Sequence, residues 1–220
     1  MSEFDLETPV GDIVERLPAA VGLFNRHGIS FCCGGGHPLS VAAANSGLDP
    51  AWLLAAIREI EQASGARVLP DTTPELIEHI LWRYHEVHRS DLEWLLQMAQ
   101  KVEAVHGNHD EAPLGLTDAL TALAEELDSH MQKEEQVLFP MMREGGHPQI
   151  GSPIAVMLRD HDAALDLLAE VRRVTRDFTL PVGACRSWTA LYTGLTKFAD
   201  DLAEHIAVEN LVLFPRFSPA

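Results

Sequence analysis

Residues 130–140 read HMQKEEQVLFP, and residues 205–215 read HIAVENLVLFP. Six of the eleven positions are identical: the His, the Glu four residues later, and the closing Val-Leu-Phe-Pro. A chain that writes one His-x-x-x-Glu phrase twice, 75 residues apart, has to place two similar helices in similar surroundings. Apolar spacing says what those surroundings are. Around the first copy, positions 123, 127, 130, 134, 137 and 141 follow the three-four rhythm of one helix face. Around the second, Leu191, Leu195, Phe198, Leu202, His205, Glu209 and Val212 do the same. Both His-Glu pairs are therefore predicted to face the core. An ionised Glu alone among leucines costs on the order of several kcal/mol, so each needs a partner or a cation.

Two further helices supply the rest of the set. One carries Ile77, Leu81, His85, His88, Leu92 and Leu95 on a single stripe; the other carries Ile154, Leu158, His161, Leu165, Leu168 and Val171. Arg83-Tyr84-His85-Glu86 matches Arg159-Asp160-His161-Asp162 in its Arg, its His and its acid, at an offset of 76. The chain thus contains one helical hairpin twice, with a His on its first helix and His-x-x-x-Glu on its second. His85, His130, Glu134, His161, His205 and Glu209 fall at similar depths in a bundle, given about 1.5 Å of rise per residue. A single inward His is ordinarily a satisfied core residue, but six such groups in duplicated register are not explained that way. Four imidazoles and two carboxylates exceed what one tetrahedral zinc uses. They suit two ions, each with two His, sharing two bridging carboxylates, with room for an oxo or hydroxo bridge and an open position. The N/O donor set favours iron or manganese. His88 also points inward, but Ala164 stands at its place in the repeat, so a supporting role is predicted for it. His27, His37, His79, His106, His109 and His147 lie at ends or in loops and are given no ligand role.

No stretch reads as a strand, and the predicted class is all-α. Short helices over about 9–27, 38–46 and 50–64 form a small amino-terminal domain, residues 1–66, with the loop FCCGGG at 31–36. A linker around 65–73 precedes an up-down-up-down four-helix bundle over 74–217, with helices near 74–106, 114–140s, 152–176 and 181–214. Pro140 and Pro215 are expected to end or kink their helices. The linker predicts that the front domain moves relative to the bundle and that the bundle folds without it. The formal net charge of -17 argues against nucleic acid or an anionic membrane as partner. The acidic start MSEFDLETP lacks the apolar run of a secretion signal, no segment reaches membrane-span length, and only three cysteines are present; a cytoplasmic protein is expected. Cys32 and Cys33 are adjacent, which disfavours a disulfide between them. Glycines behind them open the loop, so this pair is a candidate for iron transfer or redox chemistry, while Cys185 on a bundle helix is expected to pack in the core.

The duplicated H-x-x-x-E-x-x-V-L-F-P phrases and Arg83-Tyr84-His85 resemble the hemerythrin-like di-iron bundle. GISFCCGGGHPLSVAAANSGLD, residues 28–49, is similar to the amino-terminal domain of the RIC proteins, named for repair of iron centres. That resemblance covers essentially the whole chain. It implies a protein of the nitric oxide or peroxide stress response that restores damaged iron-sulfur clusters by donating iron from a labile two-iron, oxo- or hydroxo-bridged site. Carried over residue by residue, the family's ligands fall on His85, His130, Glu134, His161, His205 and Glu209. The implied partners are iron-sulfur proteins with damaged clusters and nitric oxide or oxygen as small ligands, for a monomer or homodimer. A di-iron nitric oxide reductase producing nitrous oxide is the alternative, and an oxygen-binding or oxygen-sensing protein is a third. Gly36 stands where many relatives carry a basic residue, which leaves no positive charge at that place beside the thiols.

Overall fold

The computed structural model describes residues 4–31, 35–63 and 69–217. Cys32 and Cys33 lie outside the described residues. Among the described residues no strand forms, as the all-α reading expects; one isolated bridge pairs Pro9 with Pro38. The short helices are α1 (Val10–Arg16), α2 (Val21–Arg26), α3 (Leu39–Asn45) and α4 (Pro50–Ala63), with a 3-10 turn at Pro18–Ala20 between the first two. Gly28 and Gly47 follow α2 and α3 with φ of +66° and +69°, a left-handed backbone that glycine adopts without steric cost. The long helices come next. α5 (Thr73–Ile80) runs through a π turn, Leu81–His85, into α6 (Glu86–His106). α7 (Leu116–Lys133) runs through a second, Glu134–Leu138, into α8 (Phe139–Arg143). α9 (Gly151–Val174) is uninterrupted, and α10 (Arg186–Val208) continues as a third π turn, Glu209–Leu213, and a 3-10 turn, Phe214–Phe217.

By contact density the chain forms two units, and the division falls within α10: one unit joins the chain up to Leu76 with the segment from Asp200, and the other runs Ile77–Ala199. In the first unit Val10, Ile13, Phe24, Leu39, Leu53 and Ile57 share a core with Ala203 and Ala207 of α10. The approach is close: a Cβ on Gly22 would lie 2.8 Å from Asp200 Cγ, and Arg26 pairs with Asp200. The Arg216 guanidinium donates to the Pro70 and Asp71 carbonyls at 3.4 and 3.0 Å and to Thr73 Oγ1 at 3.3 Å. Short helices bury little apolar surface among themselves, and the small residues Ala203 and Ala207 of α10 add to the core that these helices form.

The second unit is built from α6, α7, α9 and the first part of α10. Leu92, Leu95, Ala99, Val102, Leu120, Leu123, Leu127, Met157, Leu168 and Val171 are buried. A Cβ on Gly194 would lie 2.6 Å from the Trp94 ring, so a side chain there would displace that ring. Glu103 caps α7: its Oε1 accepts from the Gly115 and Leu116 amides at 2.7 and 3.0 Å, and Thr117 Oγ1 donates to its other oxygen. The carboxylate thereby satisfies amides that no turn of the helix could reach. The apolar stripe of α9 is Ile154, Met157, His161, Ala164, Leu168 and Val171, not the predicted path through Leu158 and Leu165, which are 42% and 39% exposed. Both paths are apolar in sequence, and both pass through His161.

Candidate metal centre

All six predicted ligands are buried, none more than 2% exposed. They form two overlapping groups, His85, Glu134, His205 and Glu209 in one and His130, Glu134, His161 and Glu209 in the other; within each, one ligand atom per residue lies within 4.8 Å of all the others. Glu134 and Glu209 belong to both groups. The ring nitrogens are oriented consistently. His85 Nε2 lies 3.3 Å and His130 Nε2 3.2 Å from the same Glu134 oxygen, and His205 Nε2 lies 3.1 Å from Glu209 Oε1. The His130 and His161 rings are 4.7 Å apart between centroids. Such a buried set of four imidazoles and two carboxylates is costly without a compensating charge, and its N/O chemistry suits divalent or trivalent iron. The donor set therefore fits the metal that the sequence reading implies.

The three π turns each begin or end on one of these candidate ligands. Leu81–His85 closes on His85, Glu134–Leu138 opens on Glu134, and Glu209–Leu213 opens on Glu209. In each, an amide reaches back five residues: Glu86 to the Leu81 carbonyl, Phe139 to that of Glu134, and Phe214 to that of Glu209. Such wide turns insert one residue into a helix and occur often at functional sites. The two that open on Glu134 and Glu209 advance the buried stripe beyond them by one position. So Val137 is 51% exposed while Leu138 is 1% exposed, and Leu213 rather than Val212 is buried on the last helix. Pro140, expected to end or kink its helix, does not end it: α8 carries on through it to Arg143. Its missing N–H falls where the wide turn has already broken the four-residue ladder. Sequence periodicity could not locate these turns, although the shared Leu-Phe-Pro after each Glu is a signal for two of them.

Glu135 was not singled out by the sequence. Its Oε1 lies 2.8 Å from His85 Nδ1 and accepts from Arg89 Nη2 at 2.7 Å. Burial by itself would raise the Glu135 carboxyl, but hydrogen bonds from His85 and Arg89 and the Arg89 charge outweigh it and hold it below the ordinary carboxylate range. An ionised carboxylate can only accept, so His85 Nδ1 donates to Glu135, while His85 Nε2 faces Glu134. His88 is fully buried yet belongs to neither group. Its ring lies 6.2 Å from that of Tyr84 and 5.3 Å edge-on to that of Phe198, an aromatic packing position. Cys185 is partly buried, with its sulfur 3.1 Å from His106 Nε2. His85→Ala is accordingly expected to lower bound iron by at least tenfold, the scale on which even outer contacts act. His88→Ala should keep its metal, by elemental analysis after desalting.

Comparison with known proteins agrees with this reading. The hemerythrin HHE cation binding domain matches residues 76–217, and the ScdA_N domain of unknown function matches residues 6–61. The iron-sulfur cluster repair proteins YtfE of Escherichia coli O8 (strain IAI1) and of Escherichia fergusonii are each 43% identical over 211 residues, covering 96% of this chain and 96% of theirs. The chain belongs to the hemerythrin-like RIC family. Both parts that carried the resemblance, the repeated ligand phrases and the Cys-Cys front end, fall within segments so matched. A RIC chain thus pairs a hemerythrin-type cation-binding domain with a second, smaller module. No helix among the described residues is long and apolar enough to cross a membrane.

Proposed function

We propose that this protein repairs iron-sulfur clusters damaged by nitrosative or oxidative stress, acting in the cytoplasm and giving up iron from a two-ion site. The supporting observation is the pair of overlapping His/Glu groups with Glu134 and Glu209 in common, in a chain whose relatives are named as iron-sulfur cluster repair proteins. In this reading His85 and His205 hold one iron and His130 and His161 the other. Glu134 and Glu209, common to both groups, would be shared by the two ions. Bound iron supplies the metal for rebuilding a cluster. The residues supply what makes it transferable: hard nitrogen and oxygen donors that hold iron less firmly than the thiolates and sulfides of an emptied cluster. The relatives' shared designation favours repair over nitric oxide reduction. Iron-sulfur proteins with damaged clusters are the partners this reading requires.

The test is to mix iron-loaded protein with an enzyme whose cluster has been damaged by nitric oxide and to follow recovery of its activity. Loaded protein should restore it and iron-free protein should not. Repeated nitric oxide consumption with iron retained would instead describe a reductase. In the same assay Cys32→Ala with Cys33→Ala should bind iron as the parent does, because the six ligands are elsewhere, and restore activity several-fold more slowly. Full-rate repair would leave the thiols no part in transfer, and lost iron would place them in the metal site.

A further inference from the structure

The apolar path through Leu158 and Leu165 does not enter the core, yet its spacing is that of a packed helix face. Ala155, Leu158, Asp162, Leu165 and Ala169 follow one another at intervals of three and four, and all five are exposed. α9 is uninterrupted, so they form one seam on its outer surface, about 21 Å long at roughly 1.5 Å of rise per residue. The other edge of α9 is engaged within the bundle, where Lys133 of α7 pairs with Asp160 at 2.8 Å. Beside the seam lie Arg159 and Asp166, three residues before and four after Asp162, and both are exposed. Among the described residues neither they nor Asp162 forms an ion pair or a side-chain hydrogen bond. Arg89, Arg143, Arg172, Arg173 and Arg176, by contrast, each pair with a carboxylate.

We infer that this seam is an interface between two copies of the chain, packed antiparallel across a two-fold axis beside Asp162. Leu158 of each copy then meets Leu165 of the other on one flank, and Arg159 of each meets Asp166 of the other on the second flank. Both matches hold at once because the midpoints of 158 and 165 and of 159 and 166 fall within one residue of each other, at Asp162. A parallel pair would set Arg159 against Arg159 and Asp166 against Asp166, so the flanking charges select the antiparallel form. Ala155 and Ala169 keep the ends of the seam low, which lets the two helices approach. Two features limit the strength of the contact. The two Asp162 carboxylates come together at the axis, and one helix pair covers less than the roughly 800 Å² per partner of a stable complex. The dimer is therefore weak and reversible. Its formation is independent of the iron-repair reading, since the seam contains none of the six candidate ligands.

The experiment is sedimentation of the full-length protein from micromolar to near-millimolar concentration. The wild type should move from monomer towards dimer as concentration rises. Arg159→Asp and Asp166→Arg change the net charge in opposite directions, yet each sets like charges together at both ends of the seam. Each should weaken association by roughly tenfold or more while keeping the helical circular dichroism of the parent. Mixed in equal amounts, the two variants should form a heterodimer at concentrations where either alone is monomeric, because each then presents the charges the other lacks. General repulsion between acidic chains cannot produce that recovery. Asp162→Ala, which removes the like charges at the axis, should tighten the association several-fold. A wild type that stays monomeric throughout, a single charge variant that associates as the parent does, a mixture that forms no complex, or no tightening in Asp162→Ala would each overturn the inference.

Discussion

Replacing Glu134 with alanine is expected to strip both ions, not one. Its carboxylate lies in both ligand groups, and Glu209 does the same from the last helix, so either change takes a ligand from each position at once. The loss should exceed the roughly 10–100-fold typical of an outer contact. The metal-free proteins supply the converse sign. In the wild type without metal, Glu134 and Glu209 are buried carboxylates close to several other polar groups, a costly arrangement. Metal-free Glu134→Ala should therefore melt at or above the temperature of the metal-free parent, although the loaded parent, stabilised by its ligand, melts higher than either. Elemental analysis and thermal unfolding of the four preparations check both signs. Two full equivalents of iron in Glu134→Ala would refute the bridging assignment, and a marked drop in the stability of the metal-free variant would make Glu134 a structural residue instead.

The second large effect concerns the front end. The linker in the sequence suggests that a chain beginning near Thr72 would be complete for iron binding. The structure gives a different expectation. Ala203 and Ala207 flank His205 on α10 and are buried in the core that Phe24, Leu39, Leu53 and Ile57 complete. Cutting at residue 72 would bare that face, remove the Arg26–Asp200 pair and take away the Pro70 and Asp71 carbonyls that receive Arg216. The helix segment carrying His205 and Glu209 would then lose the packing on one side. The truncated protein should hold well under half the iron of the parent and unfold at a clearly lower temperature. A gentler version is Phe24→Ala, for which a fully buried aromatic ring predicts a loss of about 3–5 kcal/mol with iron loading weakened in step. A truncated chain with two irons and parental stability would show the bundle to be self-sufficient after all.

The six residues that form the two buried His/Glu groups were legible because two independent regularities coincide on them. Helical spacing places His130, Glu134, His205 and Glu209 inward, and the offset of the duplication selects His85 over His88 without any structure. Beyond each ligand the reading fails for definite reasons. Val137 and Met141 continue the α period after Glu134, but the π turn inserts a residue and buries Leu138 and Met142 in their place; no local propensity encodes that insertion. Leu158 and Leu165 are apolar enough for the core and lie outside it because Met157 and Ala164 fill the same face. Alanines at 203 and 207 suit any helix surface, so the sequence does not show that another segment closes on them. Glu135 and Arg89 resemble an ordinary solvated pair, and only the distance to His85 Nδ1 gives them a role. The helices and the inward faces follow from local period; the partners of each face depend on tertiary packing that a period does not contain.

The central claim is that iron held by these six residues becomes the iron of a repaired cluster. Isotope tracing tests it most directly. The protein is loaded with 57Fe, freed of excess metal, and mixed with an iron-sulfur enzyme of natural iron whose cluster has been damaged by nitric oxide; the enzyme is then re-isolated for Mössbauer spectroscopy. The expected result is a 57Fe cluster signal in the enzyme that grows with recovered activity and matches the iron lost from the donor. Recovery of activity with the label still in the donor would contradict the account.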